Sequence, residues 1–162
     1  MDALQSARAA YRAGRLHDAL EAAQVAAEMR PKDPEAWRLL GAVSRHVGMP
    51  AAGEDAFRRA AALAPRTHPV PARVDRERFL DLVEAGRSRL TRDGRRRLEG
   101  VEIAVEELPE AGHIAAGLAP DSLSRRFHEP RERLVLYQVN HENRARDEAE
   151  LGKLVARTLQ RA

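Results

Sequence analysis

Cysteine is absent from these 162 residues, which removes disulfides, thiolate metal sites and cysteine nucleophiles together. Aromatic residues make up only 4% of the chain, so its core must close mainly through aliphatic and small side chains. Lysine is nearly missing as well: Lys32 and Lys153 are the only two, and arginine carries almost all of the positive charge. No apolar run approaches the roughly 20 residues that span a bilayer. The N-terminal stretch MDALQSARAAYRAGRL lacks the basic start and unbroken apolar segment of a secretory signal. A cytoplasmic location with no membrane partner is therefore expected. The glycines are dispersed and no G-K-[ST] sequence occurs to cradle phosphate. No G-x-S-x-G turn frames Ser122 or Ser124 as a nucleophile.

What remains is rich in alanine, leucine and arginine, a composition that favours helices packed through small residues. The length suits one medium domain or two small ones. A formal charge of +3 is modest but permits attraction to acidic partners. Shifting the chain by 34 residues brings Gly14 onto Gly48, Ala19 onto Gly53, Ala26 onto Ala60 and Pro31 onto Pro65. Both glycines fall between helical stretches, and both prolines close a unit. The second unit, DPEAWRLLGAVSRHVGMPAAGEDAFRRAAALAP, adds Trp37, Leu40 and Gly41 in its first helix and Gly53, Phe57 and Ala60 in its second. This pattern resembles the tetratricopeptide repeat. The likeness is strong over Asp33 to Pro65 and weaker over Ala3 to Pro31, where Ala3 stands in place of Trp37 and Ser6 in place of Leu40. The resemblance implies a partner-binding groove lined by the first helix of each hairpin. Its residues here would be Arg8, Tyr11, Arg12, Arg38 and Arg45, a set suited to an acidic peptide or protein partner.

The two prolines of Arg66–Ala72 interrupt helix, which separates a repeat domain at 1–66 from a C-terminal domain at 75–162 by a linker at 67–74. The C-terminal part opens with a helix capped by Asp75, with Phe79, Leu82, Val83 and Leu90 at helical spacing. Val101, Ile103 and Val105 then alternate with polar or small residues, predicting a half-buried strand. A second strand at Leu134–Val139 is apolar on both faces, which suits a central position. The Gly-, Pro- and Ser-bearing stretch between the two strands has no readable periodicity. A last helix spans Asp147–Arg161 with the stripe Leu151, Leu154, Val155 and Leu159. The expected fold is mainly α with a small α+β C-terminal domain.

This order of elements, with the LVLYQVN strand and the ArgAspGluAlaGluLeu helix start, is similar to the small bacterial zincin-like metallopeptidases over 75–162. In that family the last helix carries H-E-x-x-H, two zinc-binding histidines one turn apart and a glutamate that activates water. Carried forward from Asp147 and Thr158 without gaps, the register sets Arg161 at the first histidine and Ala162 at the glutamate. An arginine is no neutral nitrogen ligand and an alanine is no base. The resemblance therefore implies a pseudoenzyme with no catalytic residue, no metal ligand and no cofactor. The alternative is a truncated zinc metallopeptidase whose H-E-x-x-H lies beyond Ala162, which requires the register to slip by at least two residues. His128-Glu129 and His141-Glu142 lack a second histidine one turn on and are expected in surface loops. His17, His46, His68 and His113 are scattered singly and suggest surface or structural residues.

A further alternative rests on RSRLTRDGRRR, Arg87 to Arg97, whose six arginines could meet nucleic-acid phosphates through charge alone. Glu84, Asp93 and Glu99 dilute that field, so nucleic acid is not the expected partner. Taken together, the residues predict a non-catalytic adaptor that binds protein through its helical repeats. They do not set its oligomeric state.

Overall fold

The computed structural model describes all residues, 1–162. In chain order the helices are α1 (Ala3–Arg12), α2 (Leu16–Met29), α3 (Pro34–His46), α4 (Pro50–Leu63), α5 (Arg76–Ser88) and α6 (Arg92–Arg97). Strand β1 (Glu102–Glu106) and helix α7 (Ala111–Ala115) follow, then β2 (Ser124–Phe127), β3 (Arg133–Tyr137), α8 (Gln138–Glu142) and α9 (Glu148–Arg161). The protein is mainly helical with one small sheet. It divides into two compact units, one formed by residues 1–70 and 110–120, the other by 71–109 and 121–162. No helix is long and apolar enough to cross a membrane.

In the first unit, α1–α2 and α3–α4 form two helical hairpins. Asp2 accepts from the Gln5 backbone N–H while the Gln5 side chain accepts from Asp2 N–H, a reciprocal cap that starts α1. Asp33 caps α3 by accepting from Glu35 N–H, with Pro34 at the first helical position. The hairpin turns fall at Gly14 and Gly48, each with φ of +76°, a conformation that strains any residue bearing a Cβ. Both hairpins close through small residues. A Cβ on Gly53 would lie 2.9 Å from the Gly41 carbonyl oxygen, and Phe57, 2% exposed, fills the space beside this crossing. Across α2 the buried positions are all alanine: Ala19, Ala23, Ala26 and Ala27. Trp37 sits at the margin, donating its indole N–H to the Pro31 carbonyl at 2.9 Å beneath the Arg59 guanidinium.

Two features differ from the sequence-based division of the chain. The 110–120 stretch, expected within a C-terminal domain at 75–162, clusters with the first unit. Its buried Ile114 rests on the Gly14 turn so closely that a Cβ there would come within 2.6 Å of the Ile114 side chain. The stretch expected as linker is also held in place. His68 is buried against Glu35 in the first unit, and Ala72 N–H donates to the Ala145 carbonyl at 2.7 Å in the second.

The second unit packs α5 against α9 and sets a three-stranded sheet beside them. Asp75 and Asp147 cap the two helices through the Arg78 and Glu150 N–H groups. Gly86 allows their close approach, since a Cβ there would meet Leu159 at 2.9 Å and the Ala156 Cα at 3.3 Å. The strand order is β1-β3-β2, with β1 parallel and β2 antiparallel to β3. The two-faced apolar strand is thus central, as its pattern predicts. Phe79, Val105, Leu134, Leu136, Leu151, Val155 and Leu159 form the core. That strand ends two residues earlier than expected. Gln138 and Val139 instead open α8, where the Gln138 amide donates to the Val74 carbonyl off the sheet, while Val139 N–H still donates to the Glu107 carbonyl just past β1, in line with the β1–β3 register. β2 falls in the stretch without readable periodicity.

Gly53→Val should lower the unfolding free energy by about 1–3 kcal/mol in urea titrations, because its side chain meets backbone that cannot yield. Ala52→Val on the exposed side of the same helix should change it by only about 0.5 kcal/mol.

Candidate functional site

α1 and α3 lie side by side, and their contacts join two of the predicted groove residues, Arg8 and Tyr11, to Glu35 and His46 of α3. Arg8 pairs with Glu35 at 3.1 Å near the start of α3. The other Glu35 oxygen meets His68 Nε2 at 2.7 Å, and His68 Nδ1 lies 2.9 Å from the Thr67 hydroxyl. Burial works to raise the Glu35 carboxyl pKa, but the hydrogen bonds and charges of His68 and Arg8 prevail and hold it below its ordinary value. At the other end of the two helices the Tyr11 hydroxyl is 3.1 Å from His46 Nε2, with the rings edge-on at 5.6 Å.

The five predicted residues therefore do different things. Tyr11 is 8% exposed and braces α1 on α3 more than it faces solvent. Arg8 is engaged by Glu35. Arg12, the neighbour of Tyr11, is exposed, and Arg45, the neighbour of His46, is half-buried with its methylene stem close to Gly53. Arg38 is also half-buried on α3. Sequence reasoning missed Glu35, His46 and His68, which complete this face. The Asp33-Pro34-Glu35 helix start was a signal for the first of them, since acidic residues favour the first turn of a helix.

Arg161 is exposed at the end of α9, while Ala162 packs against the edge of the second unit's core. No group of three histidine, aspartate or glutamate side chains is arranged to hold a metal ion.

The His141-Glu142 pair corrects the sequence-based expectation of a surface loop: the two are 0% and 3% exposed within α8. His141 Nδ1 lies 2.8 Å from the Tyr137 carbonyl and Nε2 2.9 Å from the Thr158 hydroxyl on α9. The Glu142 carboxylate accepts from Val74 N–H at 2.9 Å and stands 3.6 Å from the Arg73 guanidinium, which also donates to Asn143. This polar network ties the segment before α5 to α8. His68, expected as a surface or structural residue, is the structural kind, 9% exposed against Glu35, and His128 is exposed.

Burial lowers the His141 pKa to about 4, the Tyr137 carbonyl opposing and the Arg144 charge adding to the shift. The folded protein thus holds a neutral ring, whose Nδ1–H donates to Tyr137 and whose Nε2 accepts from Thr158.

No protein-family model matches the chain, and no curated protein or solved structure shows a significant likeness to it.

Unfolding releases His141 to an ordinary pKa of 6.5, so the unfolded chain takes up a proton that the folded one refuses until about 4. Its contribution to stability is complete above the unfolded value and is lost as the pH falls through the folded one. The loss should amount to about 3 kcal/mol between pH 7 and pH 4. Urea midpoints at both values measure it, and an undiminished acid loss in His141→Gln would assign it elsewhere.

Proposed function

We propose that this protein is a non-catalytic adaptor that captures an acidic peptide or an acidic segment of a partner protein on the α1–α3 face. The observation that carries this reading is the pairing of α1 with α3 through Arg8–Glu35 and Tyr11–His46, which sets Arg12, Arg38 and Arg45 on two adjoining helices. Guanidinium groups suit carboxylate partners because their planar forks donate two parallel hydrogen bonds. Glu35 makes the face selective. It neutralises Arg8 and repels acidic groups near the start of α3, directing them toward Arg12 and Arg45.

The hairpins support a tetratricopeptide-like reading, since α2 and α4 run from Leu16 to Met29 and from Pro50 to Leu63, the same span one 34-residue period apart. The second unit is read as a zincin-like scaffold that lacks the chemistry, with Arg161 and Ala162 at the positions of ligand and base. On this reading it contributes stability and surface to an adaptor of the bacterial cytoplasm.

A fluorescein-labelled peptide rich in Asp and Glu should bind at low ionic strength and weaken with added salt. Arg38→Glu combined with Arg45→Glu should lower its affinity by at least about tenfold, since each reversal replaces attraction by repulsion. Fluorescence anisotropy reads the change; an unaltered affinity would remove this face from the binding site.

A further inference from the structure

The six arginines of Arg87–Arg97 are divided between two faces of the second unit. Arg97 points to α9, donating to the carbonyls of Gln160 and Ala162, and Gly94 presses against the same helix, where a Cβ would meet the Gln160 amide at 2.8 Å. With that face of α6 committed, Arg92, Arg95 and Arg96 are left together on the other, at the three- and four-residue spacing that groups side chains on a helix. They line an open concavity of about 780 Å³ between the end of α5, α6 and the approach to β1. Arg87 of α5 joins them at its wall.

Four arginines on six residues of helix repel one another, and none of Arg92, Arg95 and Arg96 forms an ion pair within the protein. Arg87 is held by Glu84 at 3.1 Å. Glu99 is the only other carboxylate at the rim, so four guanidinium groups face two acids. Beneath them Leu90, Leu98 and Val101 form an apolar floor, each buried to below a tenth of its surface. A volume of this size falls within the ~300–1,000 Å³ typical of small-molecule sites.

We infer that this concavity is a binding site for a small ligand bearing two or more linked phosphates, whose oxygens engage Arg92, Arg95 and Arg96 while its remainder lies on the apolar floor. Several unpaired guanidinium groups converging on one hollow match a compact polyanion, whose closely spaced oxygens accept several forked hydrogen bonds at once. A nucleic-acid duplex presents the same phosphate chemistry, but spread along a rod. It calls for cations arrayed along an extended surface and not gathered in a hollow.

Isothermal titration calorimetry of the full chain with sodium tripolyphosphate at low salt tests the site. Saturable one-site binding is expected, weakened by at least roughly tenfold in Arg95→Ser/Arg96→Ser, because two charge-assisted contacts are removed. It should be nearly unchanged in Arg89→Ser, which alters an arginine of the same stretch that does not line the hollow. All three positions are exposed, so circular dichroism should report an intact fold for each variant. Absence of saturable binding, or equal weakening in Arg89→Ser and the double variant, would overturn the assignment. A parallel titration with a short DNA duplex separates the sources: duplex binding lost in the double variant, without tripolyphosphate binding, would also overturn the small-ligand site.

Discussion

The structure depends on helix backbones that approach too closely to admit side chains between them. With one tryptophan, two tyrosines and three phenylalanines, the chain has few rings with which to fill wide gaps, so its helices close the distance instead. Gly41 meets Gly53 where α3 crosses α4, and Gly86 meets Ala156 where α5 crosses α9. Each crossing fixes a surface as well as a core. Holding α3 on α4 sets the Arg45 stem beside Gly53, and pressing Gly94 on Gln160 leaves Arg92, Arg95 and Arg96 on the rest of α6. The residues that carry no side chain thus decide where the most strongly charged side chains stand.

Arginine, the dominant cation, is put to three uses that composition alone does not separate. Arg97 and Arg73 serve as structural donors to carbonyl and amide oxygens. Arg8 and Arg78 are balanced by Glu35 and Glu148 across helix pairs. Arg92, Arg95 and Arg96 form no ion pair within the chain. Partly exposed ion pairs such as Arg8–Glu35 contribute little net stability, so their value lies in setting which charges remain available at the surface.

Much of this architecture was legible in the sequence, and the failures have identifiable causes. The 34-residue offset marked both hairpins because small residues must recur wherever helices cross, and Asp75 and Asp147 marked helix starts because a carboxylate satisfies the first free N–H groups. Leu134–Tyr137 announced a central strand by being apolar on both faces. Its end was misjudged because Val139 continues the apolar pattern, whereas the Gln138 amide reaches the Val74 carbonyl, distant in sequence, where the chain turns into α8. β2 was invisible since Ser-Arg-Arg-Phe lacks apolar alternation and is half-covered through the Arg133 guanidinium lying over the Phe127 ring. His141 and Glu142 read as loop residues because nothing local buries them. Their partners, Thr158 and Val74, lie 17 and 68 positions away. For the candidate face, the arginines come only from the resemblance to the tetratricopeptide repeat, whereas the Glu35–His68 contact emerged only once folding joined them.

Residues 110–120 complete the first unit although the chain on both sides of them builds the second. Neither unit is a contiguous stretch of polypeptide. A gene rearrangement that copied residues 1–70 would leave the Gly14 turn without Ile114, and one that copied from Pro71 onward would carry Ile114 away from the turn it covers. Modules assembled by recombination can be traded singly among proteins, whereas no single cut of this chain separates the residues of one unit from those of the other.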